Sequence, residues 1–292
     1  MKKTIFKGCA TALITPFKNN QIDKKALEKL IAYQLDNGVS ALVACGTTGE
    51  PAALSIDEWE SVLKICVNES AGSVPVIAGT GSNNTLEVVE KARRAKELGA
   101  SAQLVVTPYY NKTTQEGLIA HYKYIAQNSE LPIIVYNVPS RTGMTIEPQT
   151  IAALAKIDGI AAVKEATSDI ALLADMMHAC KSELDFYSGS DESIVPFMSL
   201  GGLGVISVLS NVIPKAVSDI TSFMLKDEYK KAAAMQIKLM PFVRALFSKT
   251  SPIPVKAALS LLGLCENEVR LPLIPMWETD SLKQIMKELN IL

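Results

Sequence analysis

Ile160-Ala161-Ala162-Val163-Lys164-Glu165-Ala166-Thr167 is a short apolar run interrupted by a cation. It reads as a buried strand over Gly159–Lys164, apolar throughout rather than alternating, as expected of a parallel sheet covered on both faces. Seven further runs share this character: Gly8–Thr15, Ala41–Cys45, Pro75–Thr80, Ala102–Thr107, Pro132–Asn137, Asp185–Gly189 and Gly204–Val208. A turn and an amphipathic helical stretch follow each strand. Eight such units predict a closed (β/α)8 TIM barrel, an α/β fold, in preference to an open doubly wound sheet.

Helix signals fall where this architecture requires them. Asp23 is placed to cap Lys24–Asp36, with Gly38 just beyond its end. Ser55 and Glu58 have capping-box spacing, and Thr113 with Glu116 repeats it. Asn84–Leu98 stops at Gly99, and Pro148 suits the first turn of Pro148–Lys156. Beyond Asp227 the strand signal ends. Glu228–Phe247, Ile253–Leu262 and Ser281–Leu289 read as helices, separated by Pro252, Pro254, Pro272 and Pro275. The expected organisation is a barrel over residues 1–227 with a helical C-terminal extension over 228–292, joined without a low-complexity linker.

Of 292 residues, 48% are hydrophobic and 20% charged, so a large core is available. A formal net charge of -1 gives no electrostatic reason to expect nucleic acid or an anionic membrane as partner. No apolar stretch is long enough to span a bilayer, and Met1-Lys2-Lys3-Thr4-Ile5-Phe6-Lys7 lacks the apolar region of a signal peptide. A cytoplasmic protein is expected. Cys9, Cys45, Cys66, Cys180 and Cys265 are scattered, and the histidines are His121 and His178. Neither set has metal-ligand spacing. Gly79-Thr80-Gly81 and Gly201-Gly202-Leu203-Gly204 fail as dinucleotide fingerprints, and no phosphate-binding loop is present. The chemistry is expected to need no cofactor and no metal.

The active site of such a barrel gathers at the C-terminal ends of its strands. There the sequence places Gly46-Thr47-Thr48-Gly49-Glu50, Thr107-Pro108-Tyr109-Tyr110-Asn111 and Tyr136-Asn137-Val138-Pro139-Ser140-Arg141-Thr142-Gly143. Lys164 ends the sixth strand, Gly189 the seventh, and Ile206 belongs to the eighth. A lysine held in a dry strand end loses hydration, its pKa falls, and the neutral amine can form an imine with a carbonyl compound. Taken alone, Lys164 could be a strand-end lysine reaching water, Gly46–Gly49 an ordinary turn, Tyr136 a packed ring and Arg141 a surface cation. Their convergence at successive strand ends favours a site.

Gly46–Glu50, Thr107–Asn111, Tyr136–Gly143 and Val163–Glu165 resemble the signature segments of the dihydrodipicolinate synthase family, pyruvate-dependent class I aldolases related to N-acetylneuraminate lyase. The likeness runs from about Gly8 to Pro254. It implies a lyase that condenses pyruvate with L-aspartate 4-semialdehyde to 4-hydroxy-tetrahydrodipicolinate, in lysine and diaminopimelate biosynthesis. Another pyruvate-dependent aldolase, cleaving a sugar acid or a hydroxy-keto acid, is the alternative. By the resemblance, Lys164 is the Schiff-base lysine and Tyr136 the proton carrier, linked through Thr47 to Tyr110. Thr48 and the backbone near Ile206 hold pyruvate, Gly189 lies beside the pocket, and Arg141 receives the carboxylate of the second substrate. Tyr110 reaches the neighbouring subunit's site, which implies a homodimer or a dimer of dimers. Lysine-inhibited members carry paired histidines where this chain has Ile56 and Trp59, beside Pro51 and Ala52, while Asn83, Glu87 and Tyr109 are retained. Little or no inhibition by lysine is expected.

Overall fold

The computed structural model describes residues 4–181 and 183–292; Met1–Lys3, part of the signal-peptide reading, lie outside the described residues. Eight parallel strands close a barrel. They are β1 (Gly8–Ala12), β2 (Ala41–Ala44), β3 (Val76–Gly79), β4 (Ala102–Val106), β5 (Ile133–Asn137), β6 (Ile160–Glu165), β7 (Asp185–Ser188) and β8 (Gly204–Ser207). Each sequence-expected strand is present, shortened by one to three residues or moved at its ends, and β1 closes the circle between β8 and β2.

Strand alternation sorts the side chains into an inner and an outer layer. Ala10, Ala12, Ala41, Val43, Leu104, Ile134, Tyr136, Ala162 and Ile206 belong to one cluster inside the barrel. Val105, Ile133, Val135, Ile160 and Val163 belong to another, with helix residues such as Leu118, Ile151 and Leu173. Lys164 is two positions after Ala162, so it continues the inward row. Tyr136 is its register partner across β5 and β6. One backbone pairing therefore puts the amine and the phenol at the same height and on the same side of the sheet. Tyr187 stacks on Phe6 with ring centroids 4.1 Å apart, and its hydroxyl donates to the Phe6 carbonyl at 2.8 Å.

The helix starts follow local chemistry. Asp23 accepts from the Ala26 amide at 3.0 Å, and Ser55 with Glu58 forms the full capping box of Ile56–Ser70. The third cap differs from its sequence reading. Thr114, not Thr113, caps Gln115–Gln127 by accepting from the Gly117 amide, and no capping box forms with Glu116. The sequence reading also passed over a small hairpin, Phe17–Lys18 with Gln21–Ile22. Its turn residues Asn19 and Asn20 both have positive φ, 53° and 61°, as the tight hairpin turn requires.

Tyr229–Leu246, Ile253–Leu261 and Asp280–Glu288 form the helices after the last barrel helix, Pro214–Leu225. Their apolar residues Phe242, Leu246, Val255, Leu259 and Met286 share one core cluster with Leu13, Ile14, Leu209 and Val212. Among the described residues no helix is long and apolar enough to cross a membrane.

Candidate active site

At the C-terminal end of the barrel a cavity of about 300 Å³ is lined by Thr47, Thr48, Tyr136, Arg141, Lys164 and Gly189. Ser190, Glu192, Val208, Phe247 and Ser251 complete much of the wall. A larger groove of about 610 Å³ lies on the outside between Asn83, Leu86, Lys112 and Tyr124. Its Lys112 and Tyr124 stand exposed on an open surface, and its buried His121 is hydrogen-bonded to Thr85 at 2.9 Å. The smaller cavity is the one that holds a buried amine beside a buried phenol.

Lys164 is 5% exposed. Its Nζ lies 4.2 Å from the centroid of the Tyr136 ring. Burial drives its pKa down to about 7; the Asp191 carboxylate opposes the fall and the Arg141 guanidinium adds to it. At neutral pH a large share of this amine carries a free lone pair, as nucleophilic attack on a ketone requires. Tyr136 is equally enclosed. Burial raises its pKa, while Arg141 and a hydrogen bond from the Thr47 side chain favour the ionised form. The phenol stays protonated at rest and has a ready partner when it gives up its proton.

The loops hold these groups by backbone conformation. Gly46 leads into a short turn, Thr47–Gly49, closed by Glu50 in the left-handed region at φ 54°. Cys45, Tyr110 and Ser168 also have positive φ at strand-to-helix segments. Such conformations are uncommon for residues other than glycine and gather where a scaffold fixes a functional loop. Arg141 rides on the single turn Pro139–Thr142, started by Pro139 and ended by Gly143 at φ 70°. That loop is tied to β6 through Asn137, which donates to Glu165 at 2.6 Å and accepts from the Ile146 amide at 3.1 Å. At Gly189 an added Cβ would stand 2.6 Å from the Ala166 Cβ and 3.1 Å from the Lys164 Cε. Glycine there leaves the lysine its room.

Six of the eight sequence-predicted residues surround the cavity. Ile206 does not line it: it is 1% exposed in the barrel interior, and Val208 takes the wall. Tyr110 stands apart at 93% exposure and does not line its own chain's cavity.

Asp191 was missed by sequence reasoning. It is 2% exposed, accepts from the Ser207 hydroxyl at 2.5 Å and from the Val208 and Leu209 amides at 3.0 and 2.9 Å, and its charge acts on Lys164. Burial raises its pKa and the hydrogen bonds pull it back. The available signal was a carboxylate two residues past Gly189, at a strand end where charge is scarce. Phe247 and Ser251, from the C-terminal segment, carried no local signal.

Comparison with known proteins places the chain in a family context. The Dihydrodipicolinate synthetase family matches residues 5–292. The chain is 45% identical over 290 residues to the 4-hydroxy-tetrahydrodipicolinate synthase of Trichlorobacter lovleyi, spanning 99% of this chain and 100% of that protein. Among solved structures, dihydrodipicolinate synthase from Thermotoga maritima matches with a TM-score of 0.97 and 43% identity, over 99% of this chain and 100% of that one. The chloride-inhibited dihydrodipicolinate synthase from Acinetobacter baumannii, solved in complex with pyruvate, matches with a TM-score of 0.97 and 41% identity, over 99% of this chain and 100% of that one.

Proposed function

The chain belongs to the dihydrodipicolinate synthetase family, and from that membership we infer that it condenses pyruvate with L-aspartate 4-semialdehyde to 4-hydroxy-tetrahydrodipicolinate, with Lys164 as the imine-forming amine. The observation that carries the residue assignment is the enclosed Lys164 amine, brought down to about 7 and facing a small polar cavity beside a buried phenol. The reaction is a lyase-type carbon–carbon bond formation in the lysine and diaminopimelate route.

The steps follow from these groups. The neutral Lys164 amine adds to the pyruvate ketone, and loss of water leaves a protonated imine. The positive nitrogen withdraws electrons from the adjacent methyl group, which gives up a proton and becomes the nucleophilic carbon of an enamine. That carbon attacks the aldehyde of the semialdehyde, whose own amine then displaces Lys164 and closes the ring. Tyr136 carries protons at the addition, dehydration and release steps. Its raised pKa makes the Thr47 hydrogen bond important, because only a positioned partner lets a weak acid exchange protons quickly. Thr48 and the backbone near Ile206, where Val208 lines the cavity, hold the pyruvate, Gly189 leaves space beside the imine carbon, and Arg141 receives the carboxylate of the second substrate. Tyr110 completes the proton path from a neighbouring copy of the chain, so the working enzyme is a homo-oligomer, a dimer or a dimer of dimers. It acts in the cytoplasm.

Borohydride reduction in the presence of pyruvate tests the assignment. The wild-type chain gains a pyruvate-derived mass on the peptide containing Lys164, and Lys164→Arg gains none, since guanidinium stays protonated. An adduct that survives in Lys164→Arg overturns it. Turnover with aspartate semialdehyde but not with sialic acid separates the synthase from an N-acetylneuraminate lyase.

A further inference from the structure

The turn that carries Thr47 and Thr48 is anchored by the far end of the chain. Glu50 closes that turn: its amide donates to the Thr47 carbonyl at 3.2 Å. Its carboxylate is buried and meets Lys256, whose ammonium lies 2.5 Å from Oε1, with the two side chains 3% and 0% exposed. The second oxygen accepts from the Arg270 backbone amide at 2.9 Å. Lys256 is held in turn, donating to the Glu268 carbonyl at 2.8 Å and lying 4.0 Å from the centre of the Phe17 ring. Arg270 covers the same ring at 4.3 Å and pairs with Glu58 through both guanidinium nitrogens, at 2.6 and 2.7 Å.

This is an expensive way to pack a core. Removing both charges from water is repaid only when geometry and further hydrogen bonds are good, and well-packed apolar residues often serve stability as well or better. The pair therefore calls for a role other than cohesion. What it fixes is specific: the carboxylate is held from two sides while its own backbone sits in the left-handed region that disfavours a side chain. Glu50 cannot relax to an extended conformation without breaking both contacts. Neither Glu50 nor Lys256 lines the Lys164 cavity, so any effect on chemistry passes through the turn.

We propose that Glu50 and Lys256 are positioning residues for the condensation, holding the Thr47 hydroxyl against Tyr136 so that the C-terminal segment sets the proton-transfer geometry of the barrel mouth. The proposal rests on the reading of Tyr136 as proton carrier. It assigns a catalytic consequence to a buried ion pair that touches no substrate.

A double-mutant cycle with Thr47 tests it, using the full-length protein. Turnover is expressed per site titrated by pyruvate and borohydride, so that misfolded chains are not counted. Glu50→Gln is expected to lower kcat about ten-fold with little change in the pyruvate KM. In a Thr47→Val background the same substitution should lower kcat less than about two-fold, because the group it positions is gone. The alkaline limb of the kcat profile should move to higher pH in Glu50→Gln and in Thr47→Val alike, since Tyr136 loses the hydrogen bond that favours its ionised form. Independent losses that multiply, or an unmoved alkaline limb, overturn the proposal. Should Glu50→Gln not fold, the paired Glu50→Gln/Lys256→Met variant replaces both charges with side chains of similar size, and the same cycle is read on it. A wild-type chain that takes no pyruvate adduct would sink the Lys164 reading and this proposal together. An adduct accompanied by multiplicative losses sinks this proposal alone.

Discussion

Lys164 is held at about 7 inside the fold and stands near 10.5 when exposed. Between those values the unfolded chain binds a proton that the folded chain does not, so stability rises with pH across that window and the full penalty applies below about 7. The separation corresponds to roughly 5 kcal/mol at most, a large sum against ordinary folding free energies. Lys164→Met keeps the volume and removes the charge. It is expected to melt several degrees higher at pH 7, with the advantage shrinking toward pH 10, while the pyruvate adduct disappears; a lower melting temperature would count against the buried neutral amine. Arg141 acts on the same group. Its guanidinium helps depress Lys164, so in Arg141→Ala the midpoint of the pH dependence of imine formation moves up. Use of the semialdehyde should fall far more than imine formation with pyruvate, and equal losses in single-turnover measurements would mark Arg141 as a structural cation only.

At the level of elements, what could be read from the chain was whatever depends on near neighbours. The strands were legible because each is apolar along its length, and Lys164 was legible because it is a cation in such a run. Asp23 and Ser55 were legible caps because the bonded amides are three residues away. Adjacent threonines defeated the same reasoning at Thr113 and Thr114, where spacing to Glu116 favoured the wrong one. The hairpin at Phe17–Ile22 escaped because its strands are two residues each and its turn amides are held by the Glu268 carboxylate, at 3.0 and 2.6 Å, from far along the chain. Asp191, and Glu50 with Lys256, were hidden for the same reason: their partners are distant in sequence. Two helices carry a further expectation. On Ile56–Ser70, Trp59 is 2% exposed and its indole N–H is already given to the Gly79 carbonyl at 3.0 Å, while Ile56 offers no polar atom. On Thr85–Glu97, Glu87 accepts from Ser82 at 2.9 Å and pairs with Lys91 at 2.8 Å. A free lysine finds its counter-charge engaged and no donor from the first helix. Turnover should be unaffected by added lysine and calorimetry should show no binding heat; inhibition at sub-millimolar lysine would refute this.

The whole molecule raises the matter of Tyr110. Its ring is 93% exposed on a residue at φ 69°, an orientation that spends backbone strain to present a large aromatic side chain to solvent. Leu86, at 64%, and Tyr109, at 39%, are exposed as well. Exposed apolar groups of this size favour a protein partner, and for Tyr110 the proposed partner is a second copy of the chain. Mixing two damaged chains tests that directly. Tyr110→Phe removes the hydroxyl and is expected to lower turnover about a hundred-fold, in the range for losing a group in a proton path; Lys164→Arg forms no imine. In a hybrid dimer, the subunit with an intact Lys164 receives Tyr110 from the Lys164→Arg chain, while the other site is doubly damaged. If the hydroxyl acts across the interface, co-refolding the two inactive variants restores activity at one site of each hybrid. If Tyr110 serves its own chain, every site with an intact lysine also carries the Tyr110→Phe lesion, and mixing restores nothing. A mixture no more active than its parts, with hybrids verified by mass, would overturn action across the interface and leave any effect of Tyr110→Phe within its own chain.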